Sequence, residues 1–565
     1  MTGKEHTMRL EGAMKQAIEV GRTRLLVAGA LFAIAFSAIS VRLADITVLQ
    51  QGHEPRSQAA RVTATSTMRA DIVDRNGELL ATSLATASLY ANPHHVIDAG
   101  EAAAKLVEAL PELSQAELQA KLASNRSFVW IRRHLTPRQQ YDVNRLGIPG
   151  VYFRRDERRV YPQGSLAPHV VGYTSIDNEG LAGIERSFDE VLKGGGRPLA
   201  LSIDIRVQHV LRQELESTVK RFGAVGAAGL VLDVDTGEVV AMVSLPDFDP
   251  HNPMGLDQET LFNRTTLGVY EQGSMFKIFT SAMALDSQSA TMASSFDASK
   301  PIKIGRFTIS DYRGQNRWLS LPEVMIHSSN IGAAKMALAA GTAVQRKYLG
   351  ALGLLKPVSI ELPEVGTPMV PSPWREINTM TIAFGHGLAV SPLQMAGGVA
   401  TVVNGGVLRP LTLLKRVPGE KPEGTRAISQ RTSEDLRKLM RLVVTEGSGK
   451  NANAPGYFVG GKTGTAEKIG ERGGYKRKAV LSSFIGAFPI NQPRYVILGS
   501  IDEPHGIKET YGFATGGWTA APAVGRAITR IAPLLGVAPV DDTDARVVAA
   551  MQVNSPSRGR TGASQ

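Results

Sequence analysis

An uncharged apolar run, LLVAGALFAIAFSAISV from Leu25 to Val41, restricts this chain more than any other feature. It reaches the lower end of the roughly 17–25 residues that a helix needs to cross a bilayer. Its apolar character on every face argues against a helix lying along one side of a soluble core. Lys4, Arg9, Lys15, Arg22 and Arg24 precede it, the last two directly against the run. By the positive-inside rule the N-terminus stays in the cytoplasm and the remainder is exported. A cleaved signal peptide is the competing reading. Its apolar region would normally be shorter, and FSA at 36–38 is the nearest thing to a small-residue cleavage site.

The 565 residues allow two or three domains, and 43% hydrophobic with 20% charged residues describes a globular chain. A net charge of +11 would suit nucleic acid, but no aromatic-plus-basic repeat, zinc-ligand spacing or phosphate loop accompanies it. An anionic lipid surface or cell-wall polymer accounts for the charge equally well. The absence of cysteine removes disulfides, thiol catalysis and cysteine metal sites, and suits an oxidising compartment.

Residues 42–66 read as a polar connector. MRADIVDRNGELLATS (68–83) predicts strand, turn, strand, because Asn76-Gly77 accepts positive φ at little cost. A helical pattern runs from about 101 to 145, with Pro137 near a helix start. FRRDERRVYPQGSLAPHVVGY (153–173) returns to strand and turn signals, its basic stretch reading as a solvated face. Near 199 the style changes: a strand enters an amphipathic helix, and AAGLVLDVDTGEVVAMVS (227–244) predicts a hairpin about Asp235-Thr236-Gly237. Helical segments follow from about 274 to 350. Residues 457–468, 479–489 and 494–504 then predict three strands. Strands at both ends of a segment with helices between imply one antiparallel sheet flanked by helices, an α/β (α+β) mixture. The end of the chain, QVNSPSRGRTGASQ, has almost nothing to bury and is expected to be disordered.

Within EQGSMFKIFT (271–280), Ser274 precedes Lys277 by three residues, so the two would share one face at a helix start. Gly273 permits a tight turn into that helix. A hydroxyl is a poor nucleophile unless a base stands beside it. Lys277 is such a base only if neutral, which burial and a second cation would favour. Lys462, in GGKTGTA, supplies the cation; Ser328, Ser329 and Asn330, before an alanine-rich helix, supply further polar groups. Each motif alone is weak, an SxxK being most often a helix cap with a snorkelling lysine. Together and in order, SxxK (Ser274, Lys277), SxN (Ser328, Asn330) and KTG (Lys462, Thr463, Gly464) form the signature set of serine β-lactamases and penicillin-binding proteins.

From the apolar run to about residue 535 the chain resembles a class B penicillin-binding protein, most closely the cell-division transpeptidases of the FtsI type. RADIVDRNGELLA and GIERSFDEVLKG (183–194) resemble that family's non-catalytic pedestal, and FGHGLAVSPLQMA (384–396) a segment of its transpeptidase domain. FNRTTLGVYEQGSMFK matches the approach to the active serine, except that Gln272 stands where proline is common. TYGFATGGWTAAPAVG (510–525) is longer than the family's usual glycine-rich segment. The resemblance implies a cytoplasmic tail (1–24), an inner-membrane anchor (25–41), a connector (42–66), a mostly β pedestal (67–198), a transpeptidase domain of β-lactamase-like fold (199–538) and a disordered tail (539–565).

It also implies roles. Ser274 attacks the penultimate D-alanine of a peptidoglycan stem peptide, and Lys277 takes its proton. Ser328 relays a proton to the leaving amine, tuned by Lys462, and Asn330 bonds the substrate amide. Lys462, Thr463 and Thr465, with Gly464 between the threonines, recognise the substrate carboxylate. The backbone N–H groups of Ser274 and Thr465 form the oxyanion hole. Neither cofactor nor metal is expected. The implied partners are stem peptides, β-lactams, an FtsW-type glycosyltransferase (no polymerising domain precedes the pedestal) and other division proteins.

Three other functions share parts of this pattern. A secreted β-lactamase would need a second base, and no Glu-x-x-x-Asn lies between Asn330 and Lys462. A β-lactam sensor or silent scaffold would not need the complete set of serine, lysines and asparagine. An elongation-specific transpeptidase has the same chemistry, and only family resemblance sets it apart.

Overall fold

The computed structural model describes residues 5–44, 68–305, 307–469, 474–541 and 544–553. Helix α1 (Glu5–Ala44) extends past the apolar run on both sides, and its stretch Glu19–Ser40 is long and apolar enough to cross a membrane. Residues 45–66 of the expected connector lie outside the described residues.

Residues from Met68 onward form a second compact unit. It opens with β1 (Ile72–Val73) and β2 (Leu79–Ala91), joined by a turn in which Asp74 accepts from the amides of Asn76 and Glu78. Helices α2 (Ala99–Ala109) and α3 (Gln115–Leu122) follow, then β3 (Val129–Leu135), α4 (Pro137–Arg145) and β4 (Val151–Val160). Thr136 and Gln139 form a capping box on α4, with Pro137 at its first position. The uninterrupted helical region expected over 101–145 is therefore broken by a strand. Val129, Ile131 and Leu135 are buried, whereas Arg132 is exposed, and this near-alternation suits a strand beside β2. Strands β3 and β4 flank β2. Leu89, Val129 and Ile131 pack on Leu106, Leu118 and Val143 of the three helices.

Strand β5 (Leu199–Ala200) pairs in parallel with β1 and closes this sheet just before α5 (Ile205–Phe222) begins. The chain continues through β6 (Gly226–Asp233), β7 (Val239–Leu245), α6 (Lys277–Asp286), α7 (Asn330–Ala340), α8 (Pro392–Val403) and α9 (Gln430–Thr445). Strands β8 (Gly460–Ile469), β9 (Tyr475–Phe488) and β10 (Tyr495–Asp502) and helix α10 (Ala520–Leu534) complete the layer structure. The five strands form one antiparallel sheet in the order β8-β9-β10-β6-β7, as expected of distant segments meeting.

Both faces of this sheet are covered, which is why β6, β7 and β10 are buried along nearly their whole length. Val231, Ile497 and Phe484 pack on one side with Leu211 of α5 and Ile528 of α10. Leu230, Leu498 and Ile485 pack on the other with Val399 of α8 and Leu439 of α9. The helical region expected over 274–350 is interrupted by short strands at Ser295–Asp297, Ile302–Ile304, Phe307–Ile309 and Trp318–Ser320, which form two small hairpin-like pairs.

The tail is a second correction. Residues 544–553, expected to lack structure, include α11 (Ala545–Ala550), and Val547 and Met551 pack on the main core. Val540 N–H donates to Gly456 O at 2.6 Å. Apolar residues spaced through 540–553 give this part something to bury; residues 554–565 lie outside the described residues.

Candidate active site

Three segments converge at β8, the last strand of its sheet. The first is a 3₁₀ turn, Gly273–Phe276, that leads into α6. Gly273 has φ +54°, and a Cβ there would stand 2.7 Å from Thr465 O, so only glycine lets the turn press against β8. Gly464 meets it from the other side, where a Cβ would lie 2.7 Å from Gln272 O. Replacing Gly273 with alanine is therefore expected to cost about 1–3 kcal/mol of stability and to lower acylation at least tenfold; thermal unfolding and labelling with fluorescent penicillin measure the two.

Lys277 is buried at the start of α6, with Nζ 2.7 Å from Ser274 Oγ. Nζ also stands 2.9 Å from Ser328 O, 2.8 Å from Asn330 Oδ1 and 3.2 Å from Ser328 Oγ. A neutral amine has two protons to donate. Given to Ser328 O and Asn330 Oδ1, they leave the lone pair for the Ser274 hydroxyl. Burial, then the charge of Lys462, holds the Lys277 ammonium well below its usual range, against an opposing pull from Asp311. Lys462 is also fully buried, which lowers it to about 7. Its Nζ donates to Ser328 Oγ at 2.9 Å, so one serine hydroxyl lies between the two amines.

Ser328 adopts φ +56°, an uncommon conformation for a residue with a side chain. That twist accompanies the approach of both its carbonyl and its hydroxyl to Lys277. Ser329 caps α7 by accepting from Gly332 N–H at 2.9 Å. Strand alternation sends Lys462 to one side of β8 and Thr463 and Thr465 to the other. Thr463 Oγ1 lies 2.6 Å from Ser448 Oγ, and Thr465 Oγ1 accepts from Gly516 N–H at 3.2 Å. Ser274, Lys277, Ser328, Asn330 and Lys462 thus form one hydrogen-bonded chain, with Thr463, Gly464 and Thr465 along its border. Among the described residues no His, Cys, Asp and Glu grouping could hold a metal.

A penicillin binding protein transpeptidase domain matches residues 227–528, and a penicillin-binding protein dimerisation domain matches residues 64–197. The "Probable peptidoglycan D,D-transpeptidase FtsI" of Caulobacter vibrioides is 41% identical over 94% of this chain and 92% of its own length. This chain belongs to the class B penicillin-binding proteins of the FtsI type. The Escherichia coli "Peptidoglycan D,D-transpeptidase FtsI" is 30% identical over 92% of both chains. The solved transpeptidase domain of Burkholderia pseudomallei penicillin-binding protein 3 is 32% identical, with a TM-score of 0.54 over 60% of this chain and 97% of its own. Mycobacterium tuberculosis penicillin-binding protein 3, solved with aztreonam, shares the fold at 24% identity, with a TM-score of 0.67 over 84% of this chain and 98% of its own. A penicillin-binding transpeptidase domain is one that binds peptidoglycan and β-lactams.

This penicillin-binding protein also places residues at the site that sequence reasoning missed. Asp311 accepts from Ser329 Oγ (2.7 Å), Asn330 N–H (2.6 Å) and Ile331 N–H (3.0 Å), and so fixes the start of α7. Asn330 Nδ2 donates to Ser310 O at 3.0 Å, which turns its carbonyl oxygen toward Lys277. Nothing in the local pattern of Asp311-Tyr312-Arg313 distinguishes it from any polar turn. Gln272, the departure from proline, donates to Val390 O at 2.9 Å and ties the catalytic turn to the segment leading into α8. At the rim, the Arg313 guanidinium stands 5.4 Å from the Phe513 ring centre. The loop that holds Asn330 and the glycine-rich loop beside Thr465 therefore touch across the cleft.

Proposed function

We propose that this chain is a peptidoglycan D,D-transpeptidase that cross-links stem peptides of the septal wall through an acyl-enzyme on Ser274. The observation that carries this reading is the continuous path Ser274 Oγ–Lys277 Nζ–Ser328 Oγ–Lys462 Nζ, with both amines buried. Lys277 takes the Ser274 proton as Oγ bonds to the carbonyl carbon of the penultimate D-alanine. Ser328 passes a proton to the departing nitrogen of the terminal D-alanine, and the C–N bond breaks. The amine of a neighbouring stem peptide then displaces Ser274 and forms the cross-link.

The oxyanion hole is assigned to the N–H groups of Ser274 and Thr465, supported by the contact of Gly273 with the Thr465 backbone. Strand β8 is the last in its sheet, the position at which an extended peptide can add as a further strand. Asn330 is assigned to the substrate amide, and Lys462, Thr463 and Thr465 to its terminal carboxylate.

The division role follows the FtsI name of its relatives. We place the N-terminus in the cytoplasm and residues beyond the anchor outside the inner membrane, by the basic residues before Leu25. An FtsW-type glycosyltransferase is the proposed polymerising partner. Mass spectrometry after β-lactam exposure tests the chemistry: one acyl group on Ser274 is expected, and none in Ser274→Ala. Acylation elsewhere, or none in the unaltered protein, would sink the reading. Depletion of the protein tests the role, with filaments expected and rounded cells arguing for elongation.

A further inference from the structure

The sheet of β3, β2 and β4 buries one face under α2, α3 and α4, and its other face carries a feature that the transpeptidase chemistry does not use. Tyr90 of β2 stands in register with Trp130 of β3 and Tyr152 of β4. Its ring stacks on Phe128 at 4.8 Å and leans on Tyr152 at 5.5 Å, and Phe128 meets Trp130 edge-on at 4.9 Å. These four rings are not core. Phe128 and Tyr152 are each 40% exposed, and Tyr90 and Trp130 are half-buried.

A row of alternate residues continues the surface along β4: Tyr152, Arg154, Asp156, Arg158. It spans roughly 20 Å. The one acid in the row is already taken, since Asp156 accepts from Arg133 at 2.7 Å and from Ser88. Arg133 in turn lies over the Trp130 ring, 4.6 Å from its centre. Arg154 and Arg158 remain exposed. This is the basic stretch whose sequence predicts an ordinary solvated face, and the structure puts a group of aromatic rings at its end.

We propose that this face binds peptide-free glycan strands of peptidoglycan, polymers of sugars in which the lactyl group on alternate rings then carries a free carboxylate. The inference rests on the peptidoglycan reading above. Aromatic rings that are partly exposed and fixed by their neighbours offer flat apolar surfaces to the C–H faces of sugars, at little cost in side-chain entropy. The row of arginines supplies the complementary charge for an anionic polymer. A weak site of this kind gains its effect by tethering, because it holds the catalytic cleft of the same compact unit beside the wall, where neighbouring strands carry stem peptides.

The test uses the full-length protein in detergent, acylated beforehand with a β-lactam so that the catalytic cleft is blocked. Its binding to glycan strands stripped of peptides by an amidase, which leaves a free carboxylate on alternate sugars, is compared with binding to an uncharged chitin oligomer. The peptide-free glycan is expected to bind at least tenfold more tightly than chitin. The double variants Phe128→Ala/Tyr152→Ala and Arg154→Glu/Arg158→Glu should each lose at least tenfold in glycan affinity while being acylated at the unaltered rate. The arginine pair is exposed, so it reports even if the aromatic pair disturbs folding. Equal glycan binding by the arginine variant overturns the proposal. So does binding to vesicles of anionic phospholipid that both variants lose, which would make the face a membrane surface. An unaltered protein that is never acylated defeats the transpeptidase reading instead, and is told apart by mass alone.

Discussion

Replacing Lys277 with alanine should slow acylation of Ser274 by about a hundred- to ten-thousand-fold, measured as the second-order rate with a chromogenic β-lactam. The loss comes from the base and not from the fold, and pH separates the two. In the proposed mechanism Lys277 works only when neutral and Lys462 contributes its charge only when protonated. The acylation rate of the unaltered protein should therefore rise where Lys277 loses its proton and fall as pH passes about 7, where Lys462 loses its own. The amines titrate as a pair through Ser328, so the two limbs belong to the pair. Lys462→Arg keeps a permanent charge and should remove the falling limb, at a lower plateau because the guanidinium does not fit the same space.

Stability should move the other way. Unfolded, Lys277 holds its proton up to about its ordinary value of 10.5; folded, it has lost that proton well below it. The unfolded chain therefore binds more protons between the lowered folded value and 10.5, and native stability rises with pH across this window. Lys277→Met removes the penalty. It should melt a few degrees higher than the unaltered protein at pH 7, with the gap closing as pH approaches 10.5. A Lys277→Met protein that melts lower at pH 7 would mean that the buried amine is held mainly by its hydrogen bonds.

The second large effect lies far from the catalytic turn. Glu185 is fully buried and divides its carboxylate between two buried guanidinium groups, Arg69 at 2.6 Å and Arg159 at 2.7 Å. Arg69 also reaches the Glu185 carbonyl (2.7 Å) and Asp189 (2.7 Å), and Arg159 reaches Arg69 O and Ser83. The cluster ties Arg69, near the start of the second unit, to Arg159 and to the Glu185–Asp189 segment. Glu185→Ala leaves two positive groups facing each other without water, at an expected cost of about 3–5 kcal/mol. Partial unfolding below the main transition in calorimetry, with faster proteolysis between residues 68 and 198, is the expected result. Acylation of Ser274 in the cold should persist, because one face of the sheet carrying Lys462 packs in a core that draws on no residue before Val207.

The motifs at Ser274, Ser328 and Lys462 were readable because each serves a local demand. A positive φ before the serine needs glycine, a helix start needs a hydroxyl, and a strand edge admits a lysine between small residues. The paired strands about Asp235-Thr236-Gly237 were readable from their turn. Strand β3 was not, because seven residues between two helical patterns are too few for alternation to stand out against them. Asp311 was not legible either. Its value is its distance from Ser329, Asn330 and Ile331, which are close to it only after folding. The same holds for Glu185, whose charge in sequence looks like any exposed helix residue.

The sequence by itself determined which chemical groups this protein has to work with, because motif spacing along one helix or strand is set by backbone geometry alone. It also determined where the helix long and apolar enough to cross a membrane lies, since an uncharged run of this length is set by composition alone. Only the tertiary structure decided that two buried lysines 185 positions apart share one serine hydroxyl, and that arginines on β4 continue a surface of aromatic rings. The physical reason is that burial and proximity belong to no residue alone. They arise when distant segments close on a common core, and there they change what an amine or a guanidinium can do.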